Sequence, residues 1–148
     1  MIPKLSDEYF MREAYKQAET AFLDGEIPVG AVIVCNGKVI ARAYNQCERL
    51  NDVTAHAEML ALTSAFNYLG SKYLDQCTLY TTLEPCIMCS GAVFWAKLQR
   101  IVYAVEDPKR GFSRISERIL HPKTEVLSGI LHEECKILLD EFFKKLRD

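Results

Sequence analysis

Apolar side chains at Phe10, Ala14, Ala18 and Phe22 recur every four positions among polar neighbours, the spacing that lines one face of a helix. Ser6 stands before them as a cap, Asp7 and Glu8 suit the positive end of the helix, and Gly25 closes the run. Residues 29–35 switch to a continuous β-branched apolar stretch. Asn36-Gly37 then signals a tight hairpin returning along residues 38–44, which predicts two antiparallel strands. Residues 45–54 are polar and without period, residues 55–69 have helical composition up to Gly70, and residues 78–83 read as a strand. Pro85 suits the first position of a further helix, where its missing N–H removes no bond. Residues 100–105 predict a fourth strand and residues 124–127 a short fifth. Residues 130–146 predict a closing helix with Leu131, Cys135, Leu138, Leu139, Phe142 and Leu146 on its apolar face. A hairpin followed by alternating strands and helices predicts an α/β protein of three layers, α/β/α, around a mixed five-stranded sheet. In such sheets ligands gather at strand ends where helices begin.

At 148 residues the chain reads as one domain, residues 1–148, with the 49% hydrophobic and 26% charged content of a soluble globular protein. The first residues lack the basic-then-apolar order of a leader, and no apolar run reaches membrane-spanning length, so a cytoplasmic protein without a membrane partner is expected. In that setting six cysteines read as free thiols and metal ligands and not as a disulfide framework. Cys35 and Cys135 fall in a strand and on a helix face, where small core hydrophobes belong. The net charge of −2 argues against indiscriminate nucleic-acid binding. Between residues 97 and 123, however, seven basic residues face three acidic ones, a local excess of +4. That excess suits phosphates and equally suits an ordinary solvated loop.

Two fragments carry chemistry: His56-Ala57-Glu58 and, downstream, Glu84-Pro85-Cys86-Ile87-Met88-Cys89. Zinc takes imidazole and thiolate tetrahedrally, and one His with two Cys leaves the fourth corner open to water, as a catalytic site requires. Cys86 and Cys89, three apart at a helix start, face the same side, and the positive end of the helix favours their thiolates. Cys47 and Cys77 could in principle close the fourth corner, but Glu58 would then have no purpose. Residues 56 and 58 stand about 200° apart on a regular helix, yet at its first turn both can border one mouth. Glu58 is accordingly read as a proton shuttle for the metal-bound water and not as a ligand. Asn45, closing the second strand, offers donor and acceptor to a heterocycle, although Asn is also common at strand ends. The apolar run Val93, Phe94, Trp95, Ala96 and Leu98 exceeds one core-facing stripe and predicts a homodimer.

The spacing His-x-Glu followed by Pro-Cys-x-x-Cys resembles the signature of zinc-dependent nucleobase deaminases. Residues 25–32, 43–45, 52–58, 82–92 and 129–143 extend the likeness nearly end to end. Together they resemble the cytidine-deaminase-like superfamily and, within it, the bacterial tRNA-specific adenosine deaminases. That resemblance implies a cytidine deaminase-like fold and one zinc per chain held by His56, Cys86 and Cys89. It also implies Glu58 as proton shuttle, and Asn45 and Ala57 in contact with the base. The implied activity is conversion of adenosine to inosine at the anticodon wobble position of tRNA, by a homodimer. Lys109, Arg110, Arg114 and Lys123 become candidates for holding RNA phosphates. The alternative is a deaminase of free bases or nucleosides, such as guanine or cytosine, with the same zinc site. A structural zinc or redox module is a third reading, opposed by Glu58 and by the missing fourth ligand.

Overall fold

Ser6 does cap the first helix: its hydroxyl accepts the Tyr9 N–H at 3.1 Å, and α1 runs Asp7–Leu23. The computed structural model describes residues 5–148, with Glu117 described in its backbone only. Residues 1–4, part of the stretch read for a leader, lie outside the described residues. Phe10, Met11, Ala14, Ala18 and Ala21 are the buried face of α1. Asn36 and Gly37, both at positive φ, turn β1 (Gly30–Cys35) into β2 (Lys38–Tyr44), as a two-residue hairpin requires.

Residues 45–54 depart from expectation, for Cys47–Leu50 forms one helical turn, α2. The buried carboxylate of Glu26 accepts the N–H groups of Glu48 at 3.0 Å and Arg49 at 2.7 Å, which satisfies donors that the local sequence leaves free. Then follow α3 (Ala57–Leu69), β3 (Cys77–Leu83), α4 (Ile87–Ala96), β4 (Arg100–Val105), β5 (Glu125–Ser128) and α5 (His132–Arg147). Helix α4 begins two residues later than Pro85 predicts, with Cys86 as its cap. The Pro85 carbonyl instead accepts the Phe112 N–H at 3.0 Å. In α5, Cys135, Leu139 and Phe142 are buried, but Leu146 is 67% exposed near the end of the helix.

The sheet order is β2-β1-β3-β4-β5; β1 is antiparallel to β2 and β3, whereas β3, β4 and β5 are parallel. Helices α1 and α5 cover one face, and α3, which also meets α4, packs on β1 and β2. This is the mixed five-stranded α/β arrangement expected. Gly30 lets α1 approach closely, since a Cβ there would run into the Ala14 carbonyl oxygen and the Ala18 amide. Asp7 at the start of α1 accepts both Arg100 guanidinium nitrogens at 2.7 Å and the Tyr80 hydroxyl at 2.6 Å, which ties the helix to the middle of β3 and the start of β4. Among the described residues no helix is long and apolar enough to cross a membrane.

Candidate metal centre

The trailing end of β3 lies beside the starts of α3 and α4, so two helix N-termini meet at one point. His56 is the residue that caps α3, in extended backbone at φ −69° and ψ 151°. Cys86 caps α4 in the same way, at φ −74° and ψ 177°, and Cys89 sits in its first turn. His56 Nδ1 stands 3.6 Å from Cys86 Sγ and 3.5 Å from Cys89 Sγ. Tetrahedral bonds of about 2.0 Å to nitrogen and 2.3 Å to sulfur would separate those atoms by about 3.5 Å, so the donor set fits zinc in both chemistry and spacing. Among the described residues these three are the group that could hold a metal ion. Cys77 lies elsewhere, in register with Cys35 toward the far end of β3, and Cys47 turns its thiol toward the Val53 carbonyl. Cys35 is accordingly half-buried opposite Cys77, while Cys135 is buried as a core residue.

The electrostatics point the same way. The hydrogen bond from Cys89 brings the Cys86 thiol down to about 4 against the opposing effect of burial, with His56 adding to the fall. The same bond, with burial and the nearby Glu58, drives the Cys89 thiol far up. Contact with Cys86 raises His56, and burial works against it. Glu58 is 4% exposed, and desolvation pushes its carboxyl up to about 7 despite its backbone hydrogen bond and the His56 charge. A carboxyl in that range can both take and give a proton near neutrality.

A cavity of about 320 Å³ opens onto this group, lined among others by His56, Ala57, Glu58 and Cys86. Asn45 borders it from the end of β2. Its Nδ2 donates to the Ile27 carbonyl at 3.3 Å, while its buried Oδ1 has no partner among the described residues and is an acceptor for a donor in the cavity. Of the basic residues singled out in the sequence, Arg110 borders the cavity. Lys109, Arg114 and Lys123 are exposed and are not part of its lining. Sequence reasoning missed Glu26 and Glu84, two buried carboxylates that bind the backbone of the loops on either side. Their one signal was an acidic residue set among apolar neighbours, Gly25-Glu26-Ile27 and Leu83-Glu84-Pro85.

Comparison with known proteins agrees with this geometry. Residues 4–105 match the family described as the cytidine and deoxycytidylate deaminase zinc-binding region. The chain is 45% identical, over 95% of its length and 91% of the relative's, to the tRNA-specific adenosine deaminase of Bacillus subtilis (strain 168). It superposes with a TM-score of 0.83 on a structure from a study of A-to-I editing by tRNA:A34 deaminases at the wobble position. That likeness has 40% identity and covers 88% of this chain and 99% of the other. A guanine deaminase from Nitrosomonas europaea gives a TM-score of 0.82 at 26% identity, over 93% of this chain and 84% of that one.

Proposed function

This chain belongs to the family of the cytidine and deoxycytidylate deaminase zinc-binding region, and from that premise we propose that it is a zinc-dependent aminohydrolase converting adenosine to inosine at the anticodon wobble position of tRNA. The observation that carries the chemistry is the convergence of His56, Cys86 and Cys89 beside a buried carboxylate at the mouth of a cavity. The choice of substrate rests on near full-length likeness to tRNA-specific adenosine deaminases.

In this reading His56, Cys86 and Cys89 hold one zinc per chain. Zinc, when bound, supplies the Lewis acidity that brings the pKa of water toward neutrality. Glu58 takes a proton from the attacking water and delivers it to N1 as C6 becomes tetrahedral. It then carries a second proton to the departing N6, so that water is consumed and ammonia released. Asn45 uses its free Oδ1 to orient the nucleoside through an N–H or O–H donor. Ala57, whose buried side chain lines the cavity, presses on the base and excludes water. An adenosine flipped from a single-stranded loop reaches the cavity at low unstacking cost. Lys109 and Arg110, with Arg114 and Lys123 further along, hold the flanking phosphates.

A tRNA substrate implies a cytoplasmic protein. A second copy of the chain covers α4, whose exposed Ile87 and Trp95, eight residues apart, make one apolar face at 56% and 74% exposure. Light scattering should then give a dimer mass, and Trp95→Glu a monomer; a monomeric wild type with full activity would overturn the dimer. The free-base reading draws on the guanine deaminase likeness at 26% identity. Incubation with an anticodon stem-loop beside free guanine and cytosine, with products read by mass spectrometry, separates the two.

A further inference from the structure

Glu84 is 3% exposed, and each of its carboxylate oxygens is met by the loop of residues 106–113. One oxygen accepts the Asp107 N–H at 3.0 Å. The other accepts the Ser113 N–H at 3.0 Å and the Ser113 hydroxyl at 2.6 Å. A charge taken out of water needs such donors, and bonds to it are stronger than those between neutral groups. The same loop also rests on the turn that carries Cys86. The Phe112 N–H donates to the Pro85 carbonyl at 3.0 Å, and Gly111 pairs with Cys86 as a β-bridge. Contact is close enough that a Cβ on Gly111 would run into the Glu84 carboxylate. Between the anchored ends, Asp107 Oδ1 accepts the N–H groups of Lys109 and Arg110, both at 3.0 Å, and Arg110 reaches the cavity rim.

From this geometry we propose that Glu84 is a positioning residue for substrate: it clamps the 106–113 loop so that Lys109 and Arg110 meet an RNA strand whose base enters the cavity. The inference rests on the tRNA reading above. Glu84 borders the same cavity, but both of its oxygens are engaged by the loop. Its carboxylate is ideal for the task because both oxygens accept, whereas an amide in the same space would set an N–H against the N–H of Asp107 or Ser113.

The test uses the zinc-loaded full chain, a labelled anticodon stem-loop with adenosine at the wobble position, and amide hydrogen exchange on the free protein. Glu84→Gln should speed exchange at Asp107 and Ser113 and weaken stem-loop binding about tenfold, the size of one lost charge-assisted hydrogen bond. Zinc content should remain that of the wild type. Ser113→Ala, which removes one of three donors and leaves the ligand turn alone, should raise KM for the stem-loop about threefold with kcat within about twofold. Gly111→Ala, pushing from the loop side, should weaken binding as Glu84→Gln does. Unchanged exchange in Glu84→Gln would overturn the clamp, and faster exchange with wild-type binding would overturn its role toward RNA. Loss of binding that tracks loss of zinc in all three variants would make Glu84 a support of the metal turn and refute the proposal. A wild type that neither binds nor deaminates the stem-loop would overturn the tRNA reading itself, and the RNA-facing role with it, whatever the exchange rates.

Discussion

Replacing Lys109 and Arg110 together by Ala probes the proposed RNA face without touching the core. Both side chains are exposed, and neither makes an ion pair among the described residues, so the change in stability should stay within about 0.5 kcal/mol. Each phosphate neutralised by a basic side chain contributes about 0.7 to the log-log salt slope on a single strand and about 0.9 on a duplex. Losing two such contacts should flatten the slope by about 1.4 to 1.8. Over a fourfold rise in salt, from about 50 to about 200 mM, wild-type affinity should then fall about 7 to 12 times more than that of the variant. Fluorescence anisotropy with a labelled anticodon stem-loop, repeated at several salt concentrations, reads the slope directly. Lys38→Ala is the control, since Lys38 is exposed beside the hairpin at the opposite end of β1 from the cavity and should leave the slope unchanged. Equal slopes for wild type and double variant, or the same flattening in Lys38→Ala, would refute local phosphate contacts and leave only the general effect of net charge.

His56→Ala, Cys86→Ser or Cys89→Ser should each lose zinc by elemental analysis. Glu58→Ala should retain one zinc per chain while turnover falls by about 10² to 10⁴ or more; retained activity would remove Glu58 from the chemistry. Gly30→Ala should lower unfolding free energy by about 1–3 kcal/mol in urea titrations, because α1 must lift from β1. Burial pushes the Cys77 thiol up to about 12, helped by the Cys35 contact, and burial takes the Cys135 thiol to about 12 as well. Folded values above the ordinary 9.0 mean that this stability is complete below pH 9 and is lost as pH climbs toward 12. Thermal midpoints should therefore decline over that window, less steeply in Cys135→Ala, and a flat profile would contradict the burial argument.

Periodicity and turn chemistry made most of the fold legible. The repeat in α1, the Asn36-Gly37 hairpin and Gly70 after α3 each follow from local rules, and β2 and β4 have the expected bounds. What escaped is non-local. Helix α2 exists because Glu26 receives its amides from more than twenty residues away, and α4 starts at Ile87 because the loop that follows β4 takes up the Pro85 carbonyl. The candidate site's grouping was legible where residue type and spacing predict it, since His56, Cys86 and Cys89 do come together beside Glu58. Asn45 gained meaning from a contact that no local pattern encodes: its Nδ2 is engaged by the Ile27 carbonyl, and its Oδ1 is left to the cavity. Glu84 was hidden for the same reason, because its partners lie more than twenty residues further along the chain.

Zinc-loaded protein incubated with an anticodon stem-loop bearing a wobble adenosine, beside free guanine, cytosine and adenosine, tests the central claim most directly. Mass spectrometry should find inosine at the wobble position, formed with the release of one ammonia per turnover and absent with Glu58→Ala. Free bases should turn over far more slowly or not at all. Rapid deamination of guanine or cytosine with the stem-loop untouched would contradict the account and assign the same metal centre to a free base.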